Sequence, residues 1–408
     1  MRDGKRDNRT NVLFLHSQIG FAADSAIHAH LMRHLDRDRF VVHVACSRGD
    51  GSVTRPSLAR IAEIPDIRLR PTYFAPGFRH RSLTTVLKQF RATTAFPMDF
   101  VSLRNYVLRE DIRIIHGTDR PRDAVYALSL ARLTGAKAVV HVHVAWSDGY
   151  SAPAKWGVRR ADAVFSISRF VTDTIVATGT PRERVHTILN GIDPSKWDPH
   201  IEGGGVRREL GIPPDAALLV SVSRLFGQKG QRELLRALAR VRADVPNVWL
   251  LIVGADALEV HGSSFTEELK LLARDLRVGE RVLFAGERSD IPQVMAACDV
   301  YSMPSFEEPF GLVFLEAMAM QRPVAAVDNG GTPEVVEHGR SGLLAAPGDV
   351  DAYARNIVTL LRDPELRARM GTYGRARVLE YFNAQRMARD AGEAYEAILT
   401  EPARARAS

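Results

Sequence analysis

Cysteine is scarce in this chain. Its 408 residues include two, Cys46 and Cys298, far apart and with no zinc-type Cys/His spacing around either. A disulfide framework is excluded, and a reducing compartment is the expectation. Long apolar runs are missing too. The first, Val12 to Leu15, falls far short of the ~20 residues that span a bilayer. The ten residues opening the chain are too polar for a signal peptide, so the expected location is cytoplasmic. There is no low-complexity tract and no short-period repeat. Aromatics make up 7% of the residues and are not interleaved with a basic stripe, which argues against a nucleic-acid surface.

What is present is an ordinary soluble composition, 45% hydrophobic and 25% charged, long enough for two domains. The net charge of +7 is unevenly spread. Residues 1–200 carry 30 Lys/Arg against 19 Asp/Glu, and residues 201–408 carry 25 against 29. Short β-branched runs alternate with helical patterns throughout. Asn11–Leu15, Phe40–Ala45, Ile112–His116, Ala138–His143 and Ala163–Ser168 read as strands of a parallel sheet with helices on both faces. The pattern restarts after Gly203-Gly204-Gly205 with Leu218–Ser223, Val248–Val253, Val282–Ala285, Val300–Met303 and Val324–Val327. The fold class is therefore α/β, two doubly wound Rossmann-like domains facing a central cleft lined by strand C-terminal ends, where ligands bind. The boundaries are 1–198 for the first domain and 199–383 for the second.

The densest chemistry lies in Pro304-Ser-Phe-Glu-Glu-Pro-Phe-Gly-Leu-Val-Phe-Leu-Glu-Ala-Met-Ala319. Pro309 and Gly311 read as a loop entering a helix, and a helix N-terminus is an anion site. Glu308 falls on the loop and Glu316 on the helix. Carboxylates there cannot bind the anion, but they accept hydrogen bonds from hydroxyls attached to it, which is the shape of a nucleotide-sugar. Glu316 interrupts an apolar run where an unpaired buried carboxylate would be costly. Arg224 and Lys229 follow the first strand of the second half, where two cations suit a diphosphate and the charge growing on a leaving phosphate. Two Asp-x-Asp triplets, Asp36–Asp38 and Asp349–Asp351, read as a helix–strand connection and a helix N-cap and not as a cation site. His141 and His143 share one face of a strand, but no third ligand declares itself, so His141 reads as structural. No metal and no cofactor is expected.

The motif Glu308-x7-Glu316 in this setting resembles the signature of retaining glycosyltransferases of family four, strongly over Ala163–Asp349 and weakly over Asn11–Arg160. The resemblance implies the GT-B architecture, with a helix over about 384–400 returning to the first domain. It implies that Glu308 contacts the donor sugar and Glu316 the ribose. Arg224 and Lys229 serve the diphosphate, and His143 faces the sugar. Gly311 and Leu312 offer amides beside Phe310, and Gly20 stands where relatives carry a Gly-Gly pair that touches the donor. Loops around Gly254 and Gly286 complete donor binding. The implied activity is metal-independent retaining transfer by a front-face route, from a nucleotide-diphosphate sugar to an acceptor glycan, lipid-linked glycan or small molecule. A nucleotide-sugar epimerase of the same fold is the alternative enzyme, and a basic nucleic-acid-binding protein the non-enzymatic one. Residues 68–106 carry seven Lys/Arg and one Asp, with Leu83, Val86, Leu87 and Phe90 on one helical face. That pattern fits either peripheral contact with an anionic membrane or a solvated helix packed on the sheet.

Overall fold

The computed structural model describes residues 8–48, 56–74, 97–118, 120–257 and 264–401. They form two compact units, residues 1–189 with 384–408, and residues 190–383. The division lies upstream of the expected 198/199 boundary.

The first unit runs β1 (Thr10–His16), α1 (Ala23–His34), β2 (Phe40–Ser47), α2 (Pro56–Ala62), β3 (Ile67–Thr72), α3 (97–109), β4 (Ile112–Thr118), α4 (Pro121–Thr134), β5 (Lys137–Val142), α5 (Ala152–Arg160), β6 (Ala163–Ser166), α6 (Arg169–Ala177) and β7 (Val185–Thr187). The strands form one parallel sheet in the order β3-β2-β1-β4-β5-β6-β7. Val12, Leu13, Phe14 and Leu15 are all buried because helices cover both faces. β3 escapes the sequence reading because it is an edge strand whose Arg68 and Arg70 blunt its exposed side. β7 is missed because three residues give no periodicity. The apolar face of Leu83, Val86, Leu87 and Phe90 lies outside the described residues. Among those described, no helix is long and apolar enough to cross a membrane.

The second unit runs α7 (Gly204–Glu209), β8 (Ala217–Val222), α8 (Gln231–Asp244), β9 (Val248–Val253), α9 (Phe265–Asp275), β10 (Val282–Phe284), α10 (Ile291–Ala297), β11 (Val300–Met303), α11 (Leu312–Ala319), β12 (Val324–Val327), α12 (Thr332–Val335), β13 (Gly342–Ala345), α13 (Val350–Arg362) and α14 (Pro364–Tyr381). Its parallel sheet has the order β10-β9-β8-β11-β12-β13. From β8 the chain winds outward to β9 and β10, then returns to β11 and winds the other way. β8 and β11 are thus neighbours at a topological switch point, paired Val300↔Leu219 and Tyr301↔Val220, and the loops at their C-terminal ends emerge side by side. In the first unit the reversal falls between β1 and β4. Asp349 caps α13 by accepting from the Ala352 amide at 2.8 Å, as the sequence predicts.

After α14 the chain rejoins the first unit as α15 (Ala384–Thr400). Its Ala388, Ala391, Gly392 and Tyr395 lie at i, i+3, i+4 and i+7, one helical stripe, and all are buried. Gly392 sits over the Phe40 ring, where a Cβ would come within 3.0 Å. The Tyr395 hydroxyl and His116 Nδ1 are 2.8 Å apart inside the first unit. Tyr395→Phe is expected to cost about 1–2 kcal/mol by orphaning that nitrogen, and Tyr395→Ala about 3–5 kcal/mol by opening a cavity. Urea denaturation checks both, and a Tyr395→Ala variant as stable as wild type contradicts this account of how α15 is held.

Candidate functional site

Each residue of the expected donor site in the second unit is delivered by a strand end. β8 ends at Val222, and Arg224 follows. Gln231 Nε2 fastens this loop by donating to the Ser223 hydroxyl at 3.0 Å and the Arg224 carbonyl at 3.1 Å. Gly227–Lys229 form one tight turn that opens α8. On the neighbouring strand, β11 ends at Met303, and Pro304–Gly311 lead into α11. The two loops are stitched by the Phe306 amide donating to the Gln228 carbonyl at 2.8 Å. Lys229 Nζ then donates to Glu308 Oε2 at 2.6 Å. Both side chains are largely withdrawn from water, 19% and 9% exposed, so each charge needs the other.

A third loop braces this pair. The turn after β12 brings Gly330 and Gly331 against the backbone of Glu308 and Pro309, and the Gly331 amide donates to the Glu308 carbonyl at 2.7 Å. A Cβ on Gly330 would fall 2.5 Å from the Glu308 carbonyl oxygen, and one on Gly331 2.5 Å from that of Pro309. These glycines therefore admit the acidic loop.

Gly311 takes φ +93 as the N-terminal boundary of α11, and a Cβ there would run into the Phe314 ring. No side chain caps this helix start and no acid lies in its first turn, so the first amides stay available to an anion. Leu312 opens the helix. Phe310, expected at the donor site, is buried, its ring edge-on against that of Phe382 with centroids 5.9 Å apart. Glu316, one turn into α11, is half-buried. No donor among the described residues reaches its carboxylate, and burial pushes its pKa up to about 8. At neutral pH it is a protonated carboxyl that both donates and accepts, and it adds no repulsion beside an anion. Arg224 is exposed, with its guanidinium 5.3 Å from the Phe226 ring centroid and no carboxylate partner among the described residues.

Gly254 and Gly286 join through the Gly254 amide, which donates to the Gly286 carbonyl at 2.8 Å. Gly254 has φ +138, and the Ser223 carbonyl occupies the space its Cβ would need. Close backbone packing at the end of β9 is thus a sufficient reason for that glycine.

Gly20 and His143 belong to the first unit. Gly20 lies in the loop after β1 and helps line a cavity of about 430 Å³ together with Ser17, Gln18, Phe21 and Arg120. Above it, the Asp24 carboxylate accepts from Gln18 Nε2 at 2.6 Å and pairs with Arg120 at 3.1 Å. His143 follows the last residue of β5, its Nε2 3.2 Å from His28 Nε2 and its ring centroid 4.2 Å from that of His141. Burial holds the His143 pKa down at about 4 against the pull of Asp24. The same cause lowers His141 and His28 well below the ordinary imidazole value, so all three rings are neutral. The third histidine missing from the sequence pattern is His28, more than a hundred residues upstream on α1. Its only sequence signal is a histidine on the buried face of that helix, where Ser25 is buried too. Cys46 and Cys298 are both free and buried, their thiols pushed up to about 12 by burial, which leaves them unreactive.

Residues 206–377 match the family profile described as glycosyl transferases group 1, and residues 28–196 match the one described as Glycosyltransferase Family 4. A GDP-mannose-dependent alpha-(1-6)-phosphatidylinositol monomannoside mannosyltransferase of Mycolicibacterium smegmatis is 33% identical over 292 residues, 64% of this chain and 74% of that protein. N-acetyl-alpha-D-glucosaminyl L-malate synthase of Bacillus anthracis is 30% identical over 233 residues, 57% of this chain and 59% of that one. The crystal structure of Anabaena Alr3699/HepE in complex with UDP and glucose superposes with a TM-score of 0.76 at 25% identity, covering 95% of this chain and 100% of that one. The sucrose-phosphate synthase of Thermosynechococcus elongatus shares the fold at a TM-score of 0.73 and 21% identity, covering 96% of this chain and 99% of that one.

The raised pKa of Glu316 makes stability depend on pH. An unfolded glutamate loses its proton near 4.5, while the folded one keeps it to about 8. The contribution is therefore full below 4.5 and lost as pH rises through about 8. Glu316→Gln is expected to gain stability relative to wild type between pH 5 and pH 9, by on the order of 1–3 kcal/mol. Urea melts of both proteins across that range read the difference, and a pH-independent difference contradicts the assignment.

Proposed function

The chain belongs to glycosyltransferase family 4, with two parallel-sheet Rossmann-like units of the GT-B fold, and on that premise we propose that it transfers a sugar from a nucleotide-diphosphate donor to an acceptor hydroxyl with retention at the anomeric carbon. The observation that carries this reading is the Lys229–Glu308 pair at the switch point of the second unit, with the uncapped start of α11 in the same loop and the unpartnered Glu316 one turn on. A diphosphate answers the helix amides, Lys229 and Arg224. The ribose hydroxyls answer Glu316, and a hydroxyl of the hexose answers Glu308. An ammonium has three donors, so Lys229 can hold a phosphate oxygen while it keeps Glu308 in place. His143, on the first unit, is assigned to the transferred sugar, where its neutral ring offers one donor and one acceptor.

In the proposed reaction the bond between the anomeric carbon and the terminal phosphate oxygen breaks, leaving an oxocarbenium-like sugar. The acceptor oxygen bonds to that carbon from the same face, and its proton passes to the departing phosphate oxygen. Lys229, Arg224 and the α11 amides stabilise the charge that grows on the phosphate. With these cations in place the reaction needs no metal. Glu308 is engaged with Lys229 rather than poised as a nucleophile, which favours this route over a double displacement through a glycosyl-enzyme. The Anabaena structure holds UDP and glucose, and the mycobacterial relative is named for GDP-mannose. Both support a nucleotide-sugar donor while differing in base.

Lys229→Ala is expected to lower kcat by roughly 10²–10³ with the fold intact, since it removes charge stabilisation in the transition state. Glu308→Ala is expected to lose a similar amount, and in it Lys229 is left buried and unpaired. Single-turnover assays with UDP- and GDP-sugars, alongside circular dichroism, read both variants. Wild-type transfer rates in either folded variant overturn these roles.

A further inference from the structure

The interior of the first unit holds a set of histidines that sugar transfer does not explain. His28 comes from α1, His116 from β4, His141 from β5, and His143 from the residue just past β5. Ring centroids lie 5.1 Å apart for His28–His116, 5.4 Å for His28–His141 and 5.3 Å for His116–His141. Phe14, Phe165 and Tyr395 pack around them, so the surroundings are dry and apolar. In such a place every polar nitrogen needs a partner. Yet His28 Nδ1, His116 Nε2 and both ring nitrogens of His141 are buried with none. A core built only for packing would fill these positions with leucine or phenylalanine at no such cost.

One ring nitrogen from each of His28, His141 and His143 lies within 4.8 Å of the other two. The His28 Nε2 to His143 Nε2 separation is 3.2 Å. Two imidazole nitrogens on one tetrahedral ion, each about 2.0–2.1 Å from it, stand roughly 3.3 Å apart. One edge of such a site is therefore already set, and the other two separations lie within 4.8 Å. The Asp24 carboxylate acts electrostatically on His143 and supplies negative charge nearby. Tyr395 fixes the neighbouring His116 ring from behind.

We propose that His28, His141 and His143 bind one divalent transition ion of the zinc class. Neutral imidazoles select zinc, cobalt or nickel over magnesium and calcium, which prefer oxygen. The ion takes up the nitrogens of the His28–His143 contact and one that His141 leaves without a partner, and it ties α1 to β5. Its role is separate from the phosphate chemistry of the second unit. If His143 also contacts the sugar, as the transfer reading holds, the ion competes for that ring and inhibits transfer rather than assisting it.

The test uses the full-length chain, untagged and stripped with a chelator, titrated with Co²⁺. The expected result is one equivalent bound with the intense visible absorption of a tetrahedral cobalt site, abolished by Zn²⁺ and unaffected by Mg²⁺. His28→Ala and His141→Ala should each weaken binding by at least about tenfold, while His200→Ala, at an exposed histidine, should leave it unchanged. Absence of the absorption in the folded wild-type protein overturns the proposal without recourse to any variant. So does an undiminished signal in His28→Ala. Neither result bears on the phosphate-binding groups of the second unit, because His28 and His141 belong to the first.

Discussion

The ion pair between Lys229 and Glu308 is the contact on which the second unit's site depends. Neither charge has much access to water, and neither would be tolerated there alone. Holding them 2.6 Å apart requires the loop after β8 and the loop after β11 to emerge next to each other. Only the reversal of strand order at β8–β11 puts them there. The other local features serve the same end. Gln231 ties down the first loop, the Phe306 amide joins it to the second, and Gly330-Gly331 let the β12 turn press on the backbone that carries Glu308. A buried pair of this kind is a poor source of stability. Its value is positional: it fixes an ammonium against the loop that leads into the uncapped start of α11.

Opposite electrostatic solutions appear in the two units. In the second, charge is concentrated and paired, and one carboxyl, Glu316, is kept neutral by burial. In the first, the residues around the ends of β4 and β5 are neutral imidazoles in an aromatic shell, and the charged groups Asp24 and Arg120 lie beside the cavity after β1. The contrast follows from side-chain chemistry. The proposed diphosphate would use cations and amide hydrogens, and the proposed ion would use nitrogen lone pairs held close.

Much of this was legible in the sequence, for physical reasons that differ by residue. The central strands were readable because both of their faces are buried, so Val248–Val253 and Val324–Val327 appear as unbroken apolar runs. β3 was not readable, because an edge strand carries arginines to stay unpaired. Glu316 stood out because an acid inside an apolar run calls for an explanation, and Glu308 because it lies on the loop just before a helix start. The pairing of Lys229 with Glu308 could not be read, since it joins residues 79 apart through sheet topology. Phe310 looked like a ligand contact beside Gly311, but its ring serves the core against Phe382. Gly330 and Gly331 admit the acidic loop, a packing role that only the structure reveals. His28 was invisible for a related reason: one histidine on the buried face of an amphipathic helix carries no pattern, and only the packing of α1 on the sheet brings it to His141 and His143.

The most direct measurement of the central claim is a crystal structure of the full chain with a nucleoside diphosphate bound. The account predicts the diphosphate at the start of α11, with Lys229 Nζ on a phosphate oxygen, Arg224 turned toward it and the ribose hydroxyls on Glu316. A diphosphate bound elsewhere, with the Lys229–Glu308 pair undisturbed and Glu316 still without a partner, would contradict it.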